Sequence, residues 1–375
     1  MIRTLAFENY RSFQDVTIGL EQLNVITGEN GSGKSSLYRA LRLLAEVVRE
    51  GALTSLVAEG GLRNVLHAGD RIGISPVAMR LGFASDELSY AIDLGLPQLP
   101  AFRVKNGAEP LDPEVKNETV WHGPVLRPST IMAQRKSLGV RLLGQSGKLE
   151  MSPWRVRESE SMLATLASPT ETPELFELRE AARRWRFYDQ LRTDQGAPAR
   201  RPSPLSFTPV LDAEGANFAG ALATVLGVGD EEYFENAVAA AFEGASVELQ
   251  TDEQGMTRVC MRQPGLRRAI TAAELSDGTL RYLLLATALL SPRPPELLVL
   301  NEPEGSLHPS LLPGLASMIN NASQHMQIIV VTHADPLVRA LSDNANLIHL
   351  EKSGGASSVR GQMRFDGPAW NWPKR

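Results

Sequence analysis

Apolar and polar positions alternate with a period of two over Ile2 to Glu8 and again over Gln14 to Leu20, which predicts two strands, and the apolar run LNVITG follows. The period then changes. Leu37, Leu41, Leu44 and Val47 or Val48 share one helical face, so a helix is expected to begin inside the glycine-rich string GENGSGKSS. Period-two segments return between about 75 and 105, in VAMRLGF and LSYAIDLGL, and predict a small antiparallel sheet. Proline and glycine break the chain from 97 to 128. Residues 155 to 195 have a helical, charge-rich pattern, and GAPARRPSP at 196 to 204 is expected to interrupt it as a linker or exposed loop. Two amphipathic helices are predicted near 216 to 226 and 230 to 243, then the strand pair SVELQTD and TRVCMRQ. The last third alternates a helix (about 279 to 290), the strand LLVLN, a helix (about 309 to 323), the strand QIIVVTH and a helix (about 335 to 342). Strands apolar throughout, alternating with helices, predict an α/β fold with a parallel sheet covered on both faces.

Composition narrows the class. The 375 residues allow two or three lobes, and 43% hydrophobic with 22% charged residues is ordinary for a globular chain. No apolar run approaches the roughly 18 residues that span a bilayer, and MIRTLAFENY lacks a signal-peptide layout, so a cytoplasmic location without a membrane partner is expected. Cys260 is the only cysteine, which excludes an internal disulfide and a cysteine-based zinc site, and it is expected to be a small buried hydrophobe. A net charge of −5 means that any nucleic-acid contact must come from a local patch.

The most specific chemistry lies in GENGSGKSS. Gly28, Gly31, Gly33, Lys34 and Ser35 have the Walker A spacing, directly after an apolar strand and before a helix. Backbone N–H groups of Asn30, Gly31, Ser32 and Gly33 would curl around phosphates, and the helix N-terminus adds its dipole. Lys34 would neutralise the β and γ phosphates, Ser35 would ligate Mg²⁺, and Ser36 would support the loop or the α-phosphate. ATP with Mg²⁺ is the expected ligand.

PELLVLNEPEGSLHP has the Walker B form of an apolar strand and then an acidic edge. Glu302 stands one residue past the strand, where a general base polarises the attacking water. Asn301 occupies the position where most such enzymes place a magnesium-shell aspartate. The amide keeps an acceptor oxygen but loses the charge, so weaker Mg²⁺ binding or slower turnover is expected. Ser306 is read as the cap of the following helix, with Pro309 early in it.

Two more strings add to this. LSDGT at 275 to 279 opens a helix with Ser276 and Gly278 near its N-terminus, and IIVVTH at 328 to 333 ends a buried strand at His333. The order is Walker A, long insertion, LSDGT, Walker B, then strand and histidine. With the opening FENYRSF, it resembles the ABC-type ATPase heads of the RecF and SMC group, and most closely the compact AAA_21-like ATPases related to the OLD family. The resemblance covers about 1 to 70 and 270 to 345, and more loosely LDAEGANFAGALATVL. It implies a P-loop core of ABC-ATPase type with an antiparallel strand layer and a helical insertion. It also implies an ATP-dependent homodimer in which Ser276 and Gly278 act on ATP of the opposite subunit, Glu302 as base, His333 as switch residue and Arg11 as a phosphate contact. The candidate for the family's Q-loop glutamine, a metal contact, is Gln134 in TIMAQRK. On this reading 1–75 carries Walker A, 76–150 the antiparallel strands, 151–245 the helical insertion, 246–350 the rest of the core and 351–375 a tail.

The use of the ATP stays open between three readings. One is a DNA clamp in repair, recombination or chromosome maintenance, supported by Arg179, Arg183, Arg184, Arg186, Arg192, Arg200 and Arg201 interleaved with Trp185, Phe187 and Tyr188. The second is a regulatory ATPase of a defence module that controls a separate nuclease or toxin; about 25 residues follow the last core strand, too few for a nuclease domain. In this reading GPAWNWPKR is either a docking element or a tail folded back on the core. The third is an ATP-binding switch with little turnover, because of Asn301.

Overall fold

The computed structural model describes residues 1–69, 78–96, 113–189, 191–362 and 367–374. Parts of the period-two and proline-rich stretches, at 75–77 and 97–112, lie outside them. The chain forms two compact units: Met1–Glu21 with Gly28–Trp185 and Ile348–Arg375, and Gln22–Thr27 with Arg186–Leu347.

The first unit is built on one antiparallel sheet. Strands β1 (Ile2–Tyr10) and β2 (Phe13–Gly19) form the expected N-terminal pair. The chain then gives β3 (Leu23–Gly28) to the second unit and enters α1 (Lys34–Glu50), α2 (Ala52–Ala58) and α3 (Leu62–Val65). Leu37, Leu41, Leu44, Val47 and Val48 of α1 are all fully buried, as their spacing predicts. After these come β4 (Ala78–Ser85), β5 (Leu88–Gly95), β6 (Glu114–His122), β7 (Ile131–Lys136), β8 (Gly139–Leu143) and β9 (Leu149–Arg155), in the sheet order β2-β1-β4-β5-β6-β7-β8-β9. The N-terminal strands and the period-two segments, expected as separate features, are one sheet joined through pairs such as Leu5↔Phe83 and Phe7↔Leu81. The reason is that Leu5, Ala6 and Phe7 are all buried, and β2 satisfies only one edge of β1; β4 satisfies the hydrogen bonds of the other. Helices α4 (Met162–Leu166) and α5 (Pro173–Arg184) follow, and the Arg49 guanidinium at the end of α1 donates to the Trp185 carbonyl at 2.9 Å.

Among the described residues, the second unit holds four parallel strands. β10 (Arg186–Tyr188) lies beside β15 (Leu297–Asn301), β15 beside β16 (Gln327–Val331), and β16 beside β3. Residues 186–188 are therefore strand, which corrects the expectation of continuous helix to 195. Three residues are too few for periodicity to separate the two, and burial of Trp185 and Tyr188 decides the matter. Strand residues of both faces are buried, with Leu298, Leu300, Ile328, Val330, Leu23 and Val25 on one face and Val299, Ile329 and Ile26 on the other. The first face shares a core with α6 (Phe218–Val228), α7 (Glu231–Ala241), α8 (Asp277–Leu289), α9 (Leu312–Ala322) and α10 (Asp335–Leu341).

Residues 196–204 are not a free linker. Ala197 and Ala199 are buried, Pro198–Arg200 make a 3-10 turn, and β11 (Ser203–Pro204) pairs with β13 (Met256–Arg262). β13 also pairs with β12 (Ser246–Thr251) and β14 (Ile270–Thr271) and buries Cys260. The chain continues through β17 (Asn346–Ser353) and β18 (Ala356–Val359), an antiparallel pair. In the first unit the tail folds back on the sheet. Trp370 packs edge-on against Trp121 at 5.7 Å and against Trp372 at 5.1 Å, and Asn117 donates to the Lys374 carbonyl at 2.8 Å. Among the described residues, no helix is long and apolar enough to cross a membrane.

Candidate functional site

In the first unit the chain leaves β3 at Gly28 and curls through residues 29–33 into α1. Gly33, the residue before the helix, has φ of 112°, and a Cβ there would lie 2.5 Å from Ser357 Oγ and 3.0 Å from Ser12 Oγ. Only glycine fits. The Lys34 ammonium is buried and folds back onto the loop, donating to the Gly28 carbonyl at 2.6 Å and the Glu29 carbonyl at 3.0 Å. The hydroxyls of Ser12, Ser32 and Ser357 are buried and have no hydrogen-bond partner. Unpaired buried donors beside a lysine and a helix N-terminus are what an anion would satisfy, so the residues fit a bound phosphate chain. Ser35, the expected Mg²⁺ ligand, is exposed in the first turn of α1, and Ser36 follows it. A groove of about 480 Å³ opens beside the loop, lined by Asn30, Gly31, Ser32, His349, Lys352 and Arg360, within the size range of small-molecule sites.

In the second unit the Walker B strand ends at Asn301. Glu302 turns the chain with φ of 47°, a conformation that costs about 1–3 kcal/mol in a non-glycine residue. Its backbone is held on three sides: its N–H donates to the Val331 carbonyl at 2.8 Å, and its carbonyl accepts from Gly305 N–H at 3.0 Å and from Arg281 Nη2 at 3.0 Å. The side chain stays about half exposed. His333 Nδ1 lies 3.6 Å from Glu302 Oε1 and 3.4 Å from Glu304 Oε1. The buried Glu304 accepts from Thr332 Oγ1 at 2.6 Å and from the His333 N–H at 3.2 Å, so it sets the position of His333. Burial pushes the Arg281 guanidinium below its usual value, opposed by Glu304, Asp189 and Glu302.

Glu304 and Arg281, which hold His333 and the Glu302 backbone, are not singled out by the sequence pattern. An acid in a turn and an arginine in an apolar helix carry no signal until the fold brings them together. Ser306, read as a helix cap, has φ of 61° and does not cap; His308 does, accepting from Ser310 N–H at 3.3 Å. A left-handed backbone is incompatible with the extended cap geometry.

LSDGT opens α8 as expected. Ser276 is its N-cap, accepting from Thr279 N–H at 3.1 Å, and remains exposed. A Cβ on Gly278 would lie 2.6 Å from the Ser306 carbonyl, so glycine lets the helix start sit against the turn after Glu302. Arg200, counted in the sequence as part of a basic surface, is instead 8% exposed and bonded inward. Its guanidinium donates to the carbonyls of Ala272 (2.9 Å), Leu275 (2.8 Å) and Thr193 (2.8 Å) and to Asp277 Oδ1 (2.7 Å). It is a positioning residue for the LSDGT loop. Arg200→Lys removes the planar fork and is expected to lower steady-state phosphate release about tenfold without weakening ATP binding by a single copy. Unchanged turnover would remove this role.

Arg11 has φ of 46° and bonds Tyr10 Oη at 3.1 Å through Nε and Glu59 through Nη2, which leaves N–H groups for an anion. Gln134 lies within β7, opposite Thr119 on β6 and Arg141 on β8. Among the described residues no group of three or more His, Cys, Asp or Glu side chains forms a ready-made metal site.

Residues 164–339 match the family described as "AAA domain, putative AbiEii toxin, Type IV TA system", and residues 1–58 match the one described as "AAA ATPase domain". A stretch of 62 residues is 40% identical to the DNA replication and repair protein RecF of Idiomarina loihiensis; it covers 16% of this chain and only 18% of that protein. Among solved structures, an SMC head bound to the C-winged helix domain of ScpA is similar, with a TM-score of 0.58 at 15% identity over 96% of this chain and 97% of the other. An Smc head with an extended coiled coil, bound to the C-terminal domain of ScpA derived from Pyrococcus furiosus, gives 0.53 at 13% identity over 96% and 95%. At such identities the likeness is one of fold. The chain therefore has the fold of an SMC ATPase head, and within it two segments are similar to families of AAA ATPases.

Proposed function

We propose that the chain binds ATP with Mg²⁺ at Gly28–Ser36 and hydrolyses it as a homodimer, the Ser276 and Gly278 of each copy acting on the ATP of the other. The observation that carries the reading is the loop itself, where the buried Lys34 donates to loop carbonyls while the Ser12, Ser32 and Ser357 hydroxyls have no hydrogen-bond partner. Lys34 and the N–H groups of Asn30 to Gly33 hold the phosphates, with Arg11 as a further contact. Glu302 takes the proton of the attacking water, and His333, set by Glu304, steadies the γ-phosphate. Mg²⁺, when bound, neutralises phosphate charge; Ser35 and Asn301 are its proposed protein contacts. Gln134 remains a proposal for a further one, resting on sequence alone. The exposed N-terminus of α8 supports completion of the site by a second copy.

DNA is the proposed partner, as RecF similarity suggests. Phosphate contacts would fall to exposed arginines such as Arg184, Arg192 and Arg201, because Trp185 and Tyr188 are core residues that have no face to offer a base. A second reading is a regulatory ATPase acting on a protein, favoured by that burial and by the toxin named in the description of the family matched over 164–339.

Sizing the Glu302→Gln protein with and without ATP and Mg²⁺, then with DNA, tests the reading. The expected result is a monomer that becomes a dimer only with ATP, and a dimer that retains DNA. A chain that stays monomeric with bound ATP would sink the paired site, and a dimer indifferent to DNA would favour the protein partner.

A further inference from the structure

The replacement of the Walker B aspartate by Asn301 removes a charge from the strand edge, and the neighbouring strand returns one. Parallel strands β10 and β15 place Tyr188 opposite Leu300, so the next residues, Asp189 and Asn301, emerge side by side at the C-terminal edge, the ligand side of such sheets. Asn301 Nδ2 donates to Asp189 Oδ1 at 2.6 Å. A carboxylate only accepts, so the amide atom facing it must be the NH₂ group, and the Asn301 carbonyl oxygen must face away from Asp189. An unheld asparagine presents its NH₂ as readily as its oxygen, and an NH₂ repels a cation. Asp189 is exposed and keeps its second oxygen for other partners.

We propose that Asp189 completes the Walker B position from the adjacent strand, holding the Asn301 amide so that its oxygen is left for a Mg²⁺ ion and supplying the negative charge that Asn301 lacks. This rests on the reading of the chain as a binder of ATP with Mg²⁺. The pair of amide and carboxylate then carries the single charge of the usual aspartate, shifted by one strand spacing of about 4.8 Å. Outer-shell partners of this kind typically change metal affinity by about 10–100-fold.

Mn²⁺ is a suitable probe because bound and free ions separate in paramagnetic resonance, with no turnover needed. Titration of the full chain in the presence of ADP, beside the unfolding midpoint of each variant, gives the readout. Asp189→Asn is expected to raise the Mn²⁺ concentration at half-saturation about tenfold with an unchanged midpoint. The double variant Asn301→Asp with Asp189→Asn puts the charge back on β15 and is expected to restore affinity to within about threefold of the parent. Unaltered affinity in Asp189→Asn, or no recovery in a folded double variant, would overturn the proposal while leaving ATP binding intact. A parent chain that binds no Mn²⁺ with nucleotide would overturn both this proposal and the ATP reading beneath it.

Discussion

Glu302→Gln is expected to lower ATP turnover by about 10²–10⁴-fold, the usual contribution of a positioned general base, with nucleotide binding retained. The substitution is nearly isosteric. The left-handed backbone at φ of 47° is held by Val331, Gly305 and Arg281 through main-chain atoms, so none of its supports is lost. What changes is the proton acceptor: glutamine cannot take a proton from water at neutral pH. Single-turnover and steady-state phosphate release, with fluorescent-nucleotide binding as the control, separate the two effects. Equal rates for parent and variant would mean that the chain is an ATP-binding switch whose turnover is already vestigial.

Arg135→Ala is expected to destabilise the first unit by about 3–5 kcal/mol, because it leaves a carboxylate buried without its counter-charge. Arg135 and Glu118 are both wholly buried on neighbouring strands β7 and β6, with Nη1 3.7 Å from Oε2. Arg135 also donates to the carbonyls of Ser137 at 2.7 Å and Arg157 at 2.6 Å and to that of Glu160, which ties the entry of α4 to the sheet. Glu118 in turn accepts from Tyr90 Oη and Met162 N–H, each at 2.7 Å, and from the Ser161 hydroxyl. Burial raises the Tyr90 hydroxyl well above its ordinary value, so it stays protonated and donates. Urea unfolding at constant slope measures the loss. Removing both partners, as Glu118→Gln with Arg135→Met, should cost less than Arg135→Ala alone, since no charge is then stranded. A single-variant loss under about 1 kcal/mol would show that the pair is not the structural keystone of this sheet.

Much of the chain was legible as sequence because its signals are local. The Walker A spacing, the apolar strands LLVLN and QIIVVTH, the helical face of α1 and the helix start at LSDGT each depend on residues within a few positions of one another. Each appears in the structure where its pattern sets it. The misreadings share the opposite property. Residues 186–188 read as helix but form a strand because β15 has an edge to fill, and Arg200 read as surface but is buried because carbonyls from residues 193 and 272–275 converge on it.

The phosphate-loop motif, the strand ends and their order along the chain are legible without the fold, since each is written in consecutive residues. The tertiary structure alone decided which side chains serve them. Glu304 behind His333, Arg281 behind Glu302, Arg200 behind LSDGT and Asp189 beside Asn301 are contacts across 21 to 112 positions, for which no short-range pattern exists. The physical reason is that a buried charge or an unpaired amide selects its partner by proximity in the fold, and proximity is what a linear pattern does not hold.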